Sequence, residues 1–183
     1  MIKEFFPYEY LNSIFDIDYA KLYDKGYRGL IFDIDNTLVH HGGDSTEEVN
    51  ALFKKVHSTG FKTVLLTNND EVRVQRFIRG IDTLYICDAD KPDTRNYLKA
   101  LKVMGINKEE AVCVGDQIFT DILGANRSGI ASILVDFIRS GSEKKIGKLR
   151  YAEKIIIKLY QMSRAYKSRL GDIQDMHNKG LVD

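Results

Sequence analysis

The chain has 183 residues, of which 44% are hydrophobic and 29% charged, and its formal net charge is +1. This length and composition are typical of one soluble globular α/β domain with its own core, and they leave little room for a second full domain. No run of eighteen apolar residues and no charged-then-apolar leader occurs, so we expect a cytoplasmic protein without a transmembrane span or a secretory signal.

Charge is divided unevenly along the chain. Residues 139–170 contain ten lysines and arginines against two glutamates, whereas residues 1–138 contain 16 basic and 21 acidic residues. We therefore expect a mildly acidic body and a basic segment that meets an anionic partner.

The N-terminal segment, residues 1–28, is rich in aromatic residues and is predicted to be an extension packed on the core. Asp18 is placed to cap a short helix that Gly26 ends. The letters Phe-Asp-Ile-Asp at 15–18 repeat those at 32–35. The first copy does not follow an apolar strand, so we assign it no chemistry.

Residues 29–38 read GLIFDIDNTL, an apolar run that ends in two aspartates. The run predicts a short strand buried on both faces, with Asp33 and Asp35 on the same side where it leaves the sheet. Two carboxylates this close persist when a cation lies between them or when one holds a proton. We interpret them as a metal-assisted site with one nucleophile and one general acid and base. The alternative is a strand-to-turn junction in which Asp35 and Asn36 cap a turn.

Residues 40–45 read HHGGDS, a glycine-rich turn before a helix that Ser45 or Thr46 caps. His40 and His41 lie near the proposed site. Exposed turn histidines are the commoner outcome, so both are left out of the site.

A second apolar strand is predicted over residues 61–66, and it leads into Thr67 and Asn68. At a parallel strand end, a hydroxyl and free backbone N–H groups can hold a phosphate. The alternative is a simple helix cap at Asn69 or Asp70.

A third strand, residues 84–87, is followed by Lys91 and Pro92 and then by a helix predicted over 93–104. Lys91 is thereby placed at a loop-to-helix junction. A positive charge there would neutralise a phosphoryl oxygen or a nearby carboxylate, although a lone loop lysine is usually only solvated.

A fourth strand, residues 111–114, ends in the motif GDQIFTD at 115–121. Asp116 faces the strand ends, and Asp121 lies far enough along the next turn to point back. An acidic cluster with oxygen ligands and no histidine or cysteine is the ligand set that Mg²⁺ prefers.

A fifth strand is predicted over residues 131–135. Five strands alternating with helices predict a three-layer, Rossmann-like α/β fold, with a five-stranded parallel sheet and helices on both faces. Ligands of such sheets bind at the carboxyl ends of the strands. All four polar motifs fall at that edge.

Read together, the motifs resemble those of the haloacid dehalogenase superfamily of phosphatases. The matching motifs are FDIDNTL (32–38), LLTNN (65–69), Lys91-Pro92 and GDQIFTD (115–121). The resemblance covers residues 29–136. It implies a catalytic core over 29–138 and a phosphate monoester hydrolase with Mg²⁺ as cofactor.

The resemblance also implies roles for single residues. Asp33 would be the nucleophile that forms an aspartyl-phosphate, and Asp35 would protonate the leaving alkoxide and then activate water. Thr67 and the backbone of Asn68 would hold phosphoryl oxygens. Lys91 would offset charge on the phosphoryl group and on Asp33, in keeping with phosphoryl transfer as positioning plus charge neutralisation.

A metal site is implied in the same way. The Asp33 carboxylate, the Asp35 carbonyl and Asp116 would hold Mg²⁺. Asp121 would either contact these ligands without binding the metal itself or act as a further ligand.

The spacing of the motifs leaves no room for a cap domain, because residues 33–67 and 68–91 each hold one turn, one helix and one strand. By the resemblance, capless members act on large or surface-displayed substrates. The patterns FDIDY…GYRGLIFDIDNTL and GDQIFTD look most like the YqeG-type branch, which includes phosphatidylglycerophosphate phosphatases of mitochondria and plastids. The implied reaction is the conversion of phosphatidylglycerophosphate to phosphatidylglycerol.

The basic segment, residues 139–170, is predicted to be helical and amphipathic. On a helix over 149–170, Ala152, Ile155, Ile156, Leu159, Met162, Tyr166 and Leu170 share an apolar face, opposite Arg150, Lys154, Lys158, Arg164 and Arg169. This pattern is typical of a helix on an anionic membrane, here at its inner face. It is equally typical of a final helix docked on the sheet. Residues 171–183 are predicted to be a flexible tail.

Three classes of function are consistent with these patterns. The leading hypothesis is a Mg²⁺ phosphatase for a phospholipid headgroup, and the alternative is a cytosolic phosphatase for a soluble phosphate ester or a phosphoprotein. A phospho-acceptor signalling domain also uses an aspartate and a lysine at strand ends, but it does not need an acid at the position of Asp35. No nucleic-acid partner is expected, since the basic face has no interleaved aromatic platform.

Overall fold

The fold is built on one parallel β-sheet. In the computed structural model, which describes residues 2–138 and 148–175, six strands lie in the order β1-β6-β5-β2-β3-β4. The strands are β1 (Glu9–Leu11), β2 (Gly29–Phe32), β3 (Lys62–Leu66), β4 (Leu84–Ile86), β5 (Ala111–Gly115) and β6 (Ala131–Val135). β2, β5 and β6 are buried along their full length, as expected for apolar strands covered on both faces.

Six α-helices accompany the strands in the described ranges. They are α1 (Tyr19–Asp24), α2 (Glu47–Thr59), α3 (Glu71–Phe77), α4 (Thr94–Met104), α5 (Leu123–Arg127) and α6 (Lys148–Met162). Short 3₁₀ helices span Ile2–Phe5, Ile14–Asp16, Ile78–Gly80 and Lys108–Glu110, and a π-helical turn, Ile118–Ile122, leads into α5. Asp18 and Thr46 accept backbone hydrogen bonds at the starts of α1 and α2. Gly60 ends α2 with a φ of +107°, a conformation that favours glycine.

Helices cover both faces of the sheet. Leu30 and Phe32 enter a core with α2 and α3, while Ile31 between them enters the opposite core with α4. This division follows from the period-two alternation of strand side chains. The predicted three-layer α/β fold is therefore confirmed.

The number of strands differs from the prediction of five. All five predicted strands are present, and the sixth, β1, comes from the segment that we expected only to pack on the core. Glu9 pairs with Ile133 and Leu11 with Val135, at the edge of the sheet beside β6. β1 reads Glu-Tyr-Leu and lacks the apolar run that marks the other strands, so its pairing depends on the neighbouring strand.

The strand order places a topological switch between β2 and β5. The chain leaves β2 towards β3 and β4 on one side and returns to β5 on the other side. In open α/β sheets the crevice at such a point is the usual ligand site. Only α2 lies between β2 and β3, and only α3 and a 3₁₀ turn lie between β3 and β4. The described residues therefore form no cap domain over this crevice.

The predicted apolar face of the last helix is split in the structure. Ile156 and Tyr160 are buried, together with Phe6 and residues that follow β5. Ile155, Leu159 and Met162 are exposed by 62%, 41% and 80%. The helix predicted over 149–170 ends at Met162, so Tyr166 and Leu170 lie outside it. The single apolar face predicted for it is also wrong, because the direction in which the helix docks selects a different stripe from the one that the sequence pattern groups.

The tail is also corrected in its first part. Ile173 is fully buried, and Gln174 forms an antiparallel bridge with Ile17. Burial of Ile173 in the core anchors residues 171–175 to the rest of the fold. Residues 139–147 and 176–183 of the predicted basic segment and tail lie outside the described residues. Across the described part of the chain, no helix is both long enough and apolar enough to span a membrane.

Candidate active site

The predicted site residues come from four loops that follow parallel strands. Asp33 follows β2, Thr67 follows β3, Lys91 lies after β4, and Asp116 follows β5. Because these strands are neighbours, the loops meet at one edge of the sheet. The structure brings Asp33, Lys91, Asp116 and Asp121 into one buried cluster at the switch point.

Lys91 bridges two carboxylates of this cluster. Its Nζ lies 2.5 Å from Oδ1 of Asp33 and 2.6 Å from Oδ1 of Asp121, and all three side chains are at least nine-tenths buried. Burial acts to lower the pKa of Lys91, but attraction by Asp121 and Asp33 outweighs it and raises that pKa. Lys91 is therefore a fixed positive charge beside Asp33.

Thr37 lies between Asp33 and Asp116. Its Oγ1 is 3.4 Å from Oδ2 of Asp33 and 3.2 Å from Oδ1 of Asp116. The backbone N–H of Asp33 donates to the carbonyl of Val114 in β5 at 3.0 Å. These contacts tie together the two strand ends that flank the switch point.

Asp121 reaches back to the cluster from the π-helical turn after β5. Its Oδ2 accepts from the backbone N–H of Gln117 at 3.0 Å. A Cβ at position 115 would lie 2.4 Å from the Cβ of Asp121, so this close approach requires Gly115. The glycine of the GDQIFTD motif thus makes room for the aspartate that ends it.

The carboxylates of the cluster are hard to ionise together. Burial raises the pKa of Asp33 to about 7, with Asp121 and Asp116 adding repulsion that Lys91 only partly offsets. Burial and the charge of Asp121 raise the pKa of Asp116 to about 6. A cation bound among these carboxylates would offset their repulsion and stabilise their ionised forms.

The residues present fit a divalent metal ion. Asp33, Asp116 and Asp121 each offer an oxygen, and the three oxygens lie within 4.8 Å of one another. Oxygen donors without histidine or cysteine suit Mg²⁺. Both carboxylate oxygens of Asp121 accept from nitrogen donors, Lys91 and Gln117 N–H. Asp33 and Asp116 are the better placed ligands, because Asp33 Oδ2 and Asp116 Oδ1 meet only the Thr37 hydroxyl among the described contacts.

Asp35 lies in a second, more open pocket. Asn69 Nδ2 donates to its Oδ2 at 2.9 Å, and Arg73 Nη2 and Gly42 N donate to its Oδ1 at 2.9 and 3.0 Å. Partial burial acts to raise the pKa of Asp35, but the hydrogen bonds from Asn69 and Arg73 outweigh it and lower the pKa. The two predicted catalytic aspartates therefore have opposite electrostatic surroundings.

Thr67 and Asn68 contribute to both pockets. Thr67 Oγ1 accepts from Asn69 Nδ2 at 2.8 Å, the same amide that holds Asp35. Asn68 Oδ1 accepts from the backbone N–H of Lys91 at 2.8 Å. The side chain of Asn68 thus positions the lysine loop, and its predicted phosphate contact through the backbone stays a prediction.

The two histidines left out of the site by the sequence analysis are exposed. His41 Nδ1 lies 3.4 Å from Oδ2 of Asp35 at the solvent side of the pocket. His40 Nδ1 contacts only the carbonyl of its neighbour among the described contacts, at 3.1 Å.

Four further residues contact the site, and sequence reasoning assigned none of them to it. Thr37 and Asn69 lie inside the first and second motifs, so the motifs themselves carried the signal. Arg73 lies one turn into α3, and Arg150 lies 34 residues beyond Asp116, to which it donates. Neither arginine has a local pattern that marks it, because only the packing of α3 and α6 brings them to the carboxylates.

Comparison with known proteins agrees with this geometry. A family model described as haloacid dehalogenase-like hydrolase matches residues 42–129. The chain is 37% identical over 137 residues to the probable phosphatase YqeG of Bacillus subtilis (strain 168), covering 74% of this chain and 80% of that protein. It is 25% identical to phosphatidylglycerophosphate phosphatase 1, chloroplastic/mitochondrial, of Arabidopsis thaliana, over 75% of this chain and 42% of that protein.

Among solved structures, an uncharacterized protein from Listeria monocytogenes serotype 4b is similar in fold. Its TM-score is 0.51 at 21% identity, and the match covers 74% of this chain and 99% of that chain. At this identity the likeness speaks for the fold alone.

Proposed function

The chain belongs to the family of haloacid dehalogenase-like hydrolases and is a phosphatase of that family, and we propose that it hydrolyses phosphate monoesters through an aspartyl-phosphate on Asp33. The observation that carries this proposal is the buried cluster in which Lys91 meets Asp33 and Asp121 next to Asp116. Phosphoryl transfer depends on positioning and charge neutralisation. This cluster supplies a fixed nucleophile and a fixed cation.

In the first half of the reaction, an Asp33 carboxylate oxygen attacks phosphorus. The bond from phosphorus to the ester oxygen breaks, and Asp35 gives a proton to the leaving alkoxide. In the second half, Asp35 accepts a proton from water, the water oxygen attacks phosphorus, and the bond between phosphorus and the Asp33 oxygen breaks to release inorganic phosphate. Asp33 is then regenerated as a carboxylate, and Asp35 again holds the proton.

The surroundings of Asp35 favour its role as a base directly, since its lowered pKa keeps it ionised at neutral pH. Its role as an acid requires a bound proton. A phosphate dianion that binds beside Asp35 adds a like charge and raises the pKa of this carboxyl, which favours protonation once substrate is present.

Asp33 and Asp116, with the carbonyl of Asp35, would hold Mg²⁺, and the bound ion would neutralise charge on a phosphoryl oxygen. Lys91 lies 2.5 Å from Asp33 and would offset charge on Asp33 and on the phosphoryl group. Asp121 holds Lys91 in place at 2.6 Å. Thr67 is positioned by Asn69 so that its hydroxyl can meet a phosphoryl oxygen.

A simple assay tests this chemistry. The wild type should release phosphate from an aryl phosphate in the presence of Mg²⁺ and lose this activity in excess chelator. Activity that persists in chelator would contradict the metal-assisted mechanism.

For the physiological substrate, we propose phosphatidylglycerophosphate, which would be converted to phosphatidylglycerol. One support is the 25% identity to a plant protein of that name. A second support is the absence of a cap over the crevice in the described ranges, since an uncovered site admits a headgroup that stays in a lipid surface.

The outer face of α6 supports the same proposal. Tyr151, Ile155, Leu159 and Met162 recur at helical spacing and are all exposed, by 41–80%. Lys154 and Lys158 lie next to this row and are also exposed. An exposed apolar row flanked by lysines matches the charge and polarity of an anionic lipid surface. We therefore propose a peripheral contact of α6 with the cytoplasmic face of an anionic membrane.

A substrate panel separates the lipid substrate from the soluble alternative. We expect phosphatidylglycerophosphate in micelles to be hydrolysed faster than soluble phosphate esters and phosphopeptides, with Asp33→Asn as the inactive control. Faster turnover of a soluble ester or a phosphopeptide would favour the alternative, a cytosolic phosphatase, and would leave the chemistry of the site intact.

Two neighbouring isoleucines test the membrane contact. Ile155→Ser should weaken co-sedimentation with phosphatidylglycerol vesicles at low salt and leave the melting temperature unchanged. Ile156→Ser should instead lower the melting temperature, since Ile156 is only 9% exposed. Neutralising Lys154 and Lys158 should weaken vesicle binding by about 1 kcal/mol per charge. If the wild type does not bind such vesicles, α6 no longer supports a lipid substrate.

A further inference from the structure

Arg150 at the start of α6 reaches into the carboxylate cluster. Its Nη1 donates to the backbone carbonyl of Asp116 at 2.6 Å, and its Nη2 donates to the Oδ2 of the same residue. One guanidinium thus holds both the main chain and the side chain of Asp116. Arg150 is 18% exposed at its side chain and Asp116 is fully buried there.

The two oxygens of the Asp116 carboxylate have different partners. Oδ2 accepts from Arg150, and Oδ1 lies 3.2 Å from the hydroxyl of Thr37, which is also 3.4 Å from Asp33. Arg150 therefore fixes the plane of the carboxylate with Oδ1 on the side of Asp33. The fork of the guanidinium is suited to this, because it donates two hydrogen bonds in a fixed geometry.

Arg150 is itself held in place. Its Nη1 also donates to Oε2 of Glu153 at 3.0 Å, and the Oε1 of Glu153 accepts from the backbone N–H of Ile118 at 2.8 Å. The guanidinium lies 4.7 Å from the ring centroid of Phe137. A buried row of Glu153, Arg150 and Asp116 thus joins α6 to the turn after β5.

From this geometry we propose that Arg150 is a positioning residue that orients Asp116 for Mg²⁺, so that the C-terminal helix completes the metal site. The proposal rests on the proposed function, since it needs Asp116 as a metal ligand. Residues that orient a ligand from outside the metal's own contacts commonly change metal affinity by about 10- to 100-fold when replaced.

The direction in which Mg²⁺ affinity changes distinguishes an orienting role of Arg150 from a purely electrostatic one. Arg150 is a cation beside a metal ligand, so by Coulomb repulsion alone its removal would strengthen Mg²⁺ binding. If it acts by orienting Asp116, replacement that preserves the local charge should weaken Mg²⁺ binding. Two variants preserve that charge: Arg150→Lys, and the double variant Arg150→Met with Glu153→Gln, which removes one positive and one negative group together.

The double variant also guards against misfolding. Arg150→Met alone would leave Asp116 and Glu153 buried without their cation, which is strongly destabilising. Removing the charge of Glu153 as well reduces this cost, because only Asp116 then lacks its cation. Arg127→Met is the matched control, because it breaks an arginine–glutamate pair, with Glu4 at 2.9 Å, on the exposed surface.

The experiment is calorimetric titration of the metal-free chain with Mg²⁺, accompanied by a melting curve for each variant without metal. We expect the dissociation constant to rise about 10- to 100-fold in both charge-preserving variants and to stay within twofold in Arg127→Met. The Mg²⁺ concentration for half-maximal aryl phosphate turnover should rise in parallel.

The outcomes are distinguishable. Unchanged or tighter Mg²⁺ binding in either folded charge-preserving variant would overturn the role of Arg150 while the proposed function stands. A wild type that neither binds Mg²⁺ nor hydrolyses an aryl phosphate would overturn both. Weaker Mg²⁺ binding in both charge-preserving variants, with the melting temperature retained, supports the positioning role.

Discussion

Asp33 and Asp35 are two residues apart in sequence, but they lie in surroundings of opposite character. Asp33 is buried against Lys91, with Asp116 and Asp121 nearby, and its pKa is raised to about 7. Asp35 is held by Asn69 and Arg73 in a more open pocket, and its pKa is lowered. The difference shows that environment, more than residue type, sets the pKa of a carboxylate.

The physical cause lies in how deeply each carboxylate is buried and in how many donors it meets. Asp35 accepts hydrogen bonds from an amide, a guanidinium and a backbone N–H, which stabilise its charge. Asp33 shares one lysine with Asp121, so its charge is only partly compensated. The cluster around Asp33 therefore has an excess of negative charge, whereas Asp35 is paired with Arg73.

The largest expected effect on turnover comes from removing the carboxylate of Asp33. Asp33→Asn keeps the shape of the side chain but removes the nucleophile, so turnover of an aryl phosphate should fall by about 10⁴-fold or more. The measurement is a steady-state assay with Mg²⁺ at saturation. Residual activity within tenfold of the wild type would mean that Asp33 is not the nucleophile.

Asp35→Asn should have a smaller and selective effect. Because general acid catalysis contributes roughly 10²–10⁴-fold where the leaving group needs a proton, alkyl phosphates should be affected by that amount. Aryl and acyl phosphates, which leave without help, should be affected far less. Equal losses for both classes of substrate would show that Asp35 does not act as the proton donor.

The two pockets also predict opposite contributions to stability as pH changes. For Asp33, whose ordinary pKa is 3.8, the folded chain keeps the proton between about pH 4 and pH 7 while the unfolded chain has lost it. This group therefore lowers the free energy of unfolding as pH rises through that range, by about 4 kcal/mol at 1.36 kcal/mol per pKa unit. Asp35 contributes stability above its ordinary pKa and loses it as pH falls through its lowered pKa.

Urea unfolding of the metal-free chain at pH 5 and pH 7.5 measures this contrast. Asp33→Asn should remove most of the decline that the wild type shows as pH rises, whereas Asp35→Asn should retain it. Mg²⁺ should restore more stability at pH 7.5 than at pH 5, because the ligands must be deprotonated to bind it. Equal declines in the wild type and Asp33→Asn would contradict the raised pKa of Asp33.

The smallest expected effect on activity comes from replacing Arg73, which donates a hydrogen bond to Asp35. Arg73→Gln removes a donor from Asp35 and should slow hydrolysis of alkyl phosphates by about tenfold, because the acid is then less well positioned. Aryl phosphates should be much less affected. Arg76→Gln is the matched control, since Arg76 contacts Asp44 and Gly42 but not Asp35. A similar loss in both variants would point to the loop at residues 40–45 and not to Asp35.

Local patterns in the sequence were sufficient for much of the fold and for the place of the site. The five apolar runs became β2 to β6, and Asp33, Lys91, Asp116 and Asp121 meet at the edge where parallel strands end. These features depend on period, turn chemistry and strand order, which a single chain records locally. The position of Lys91 was predictable for the same reason, because its loop follows a strand.

Other features were decided only by the tertiary structure. Ile155 and Ile156 are identical neighbours, yet one is exposed and the other buried, because the docking of α6 sets which stripe faces the core. Arg150 lies in a basic segment whose charge suggested an outward role, but its guanidinium is bound to Asp116. Arg73 and the short strand β1 are similar cases. A contact between segments distant in sequence depends on how two elements pack, and neither element alone carries that information.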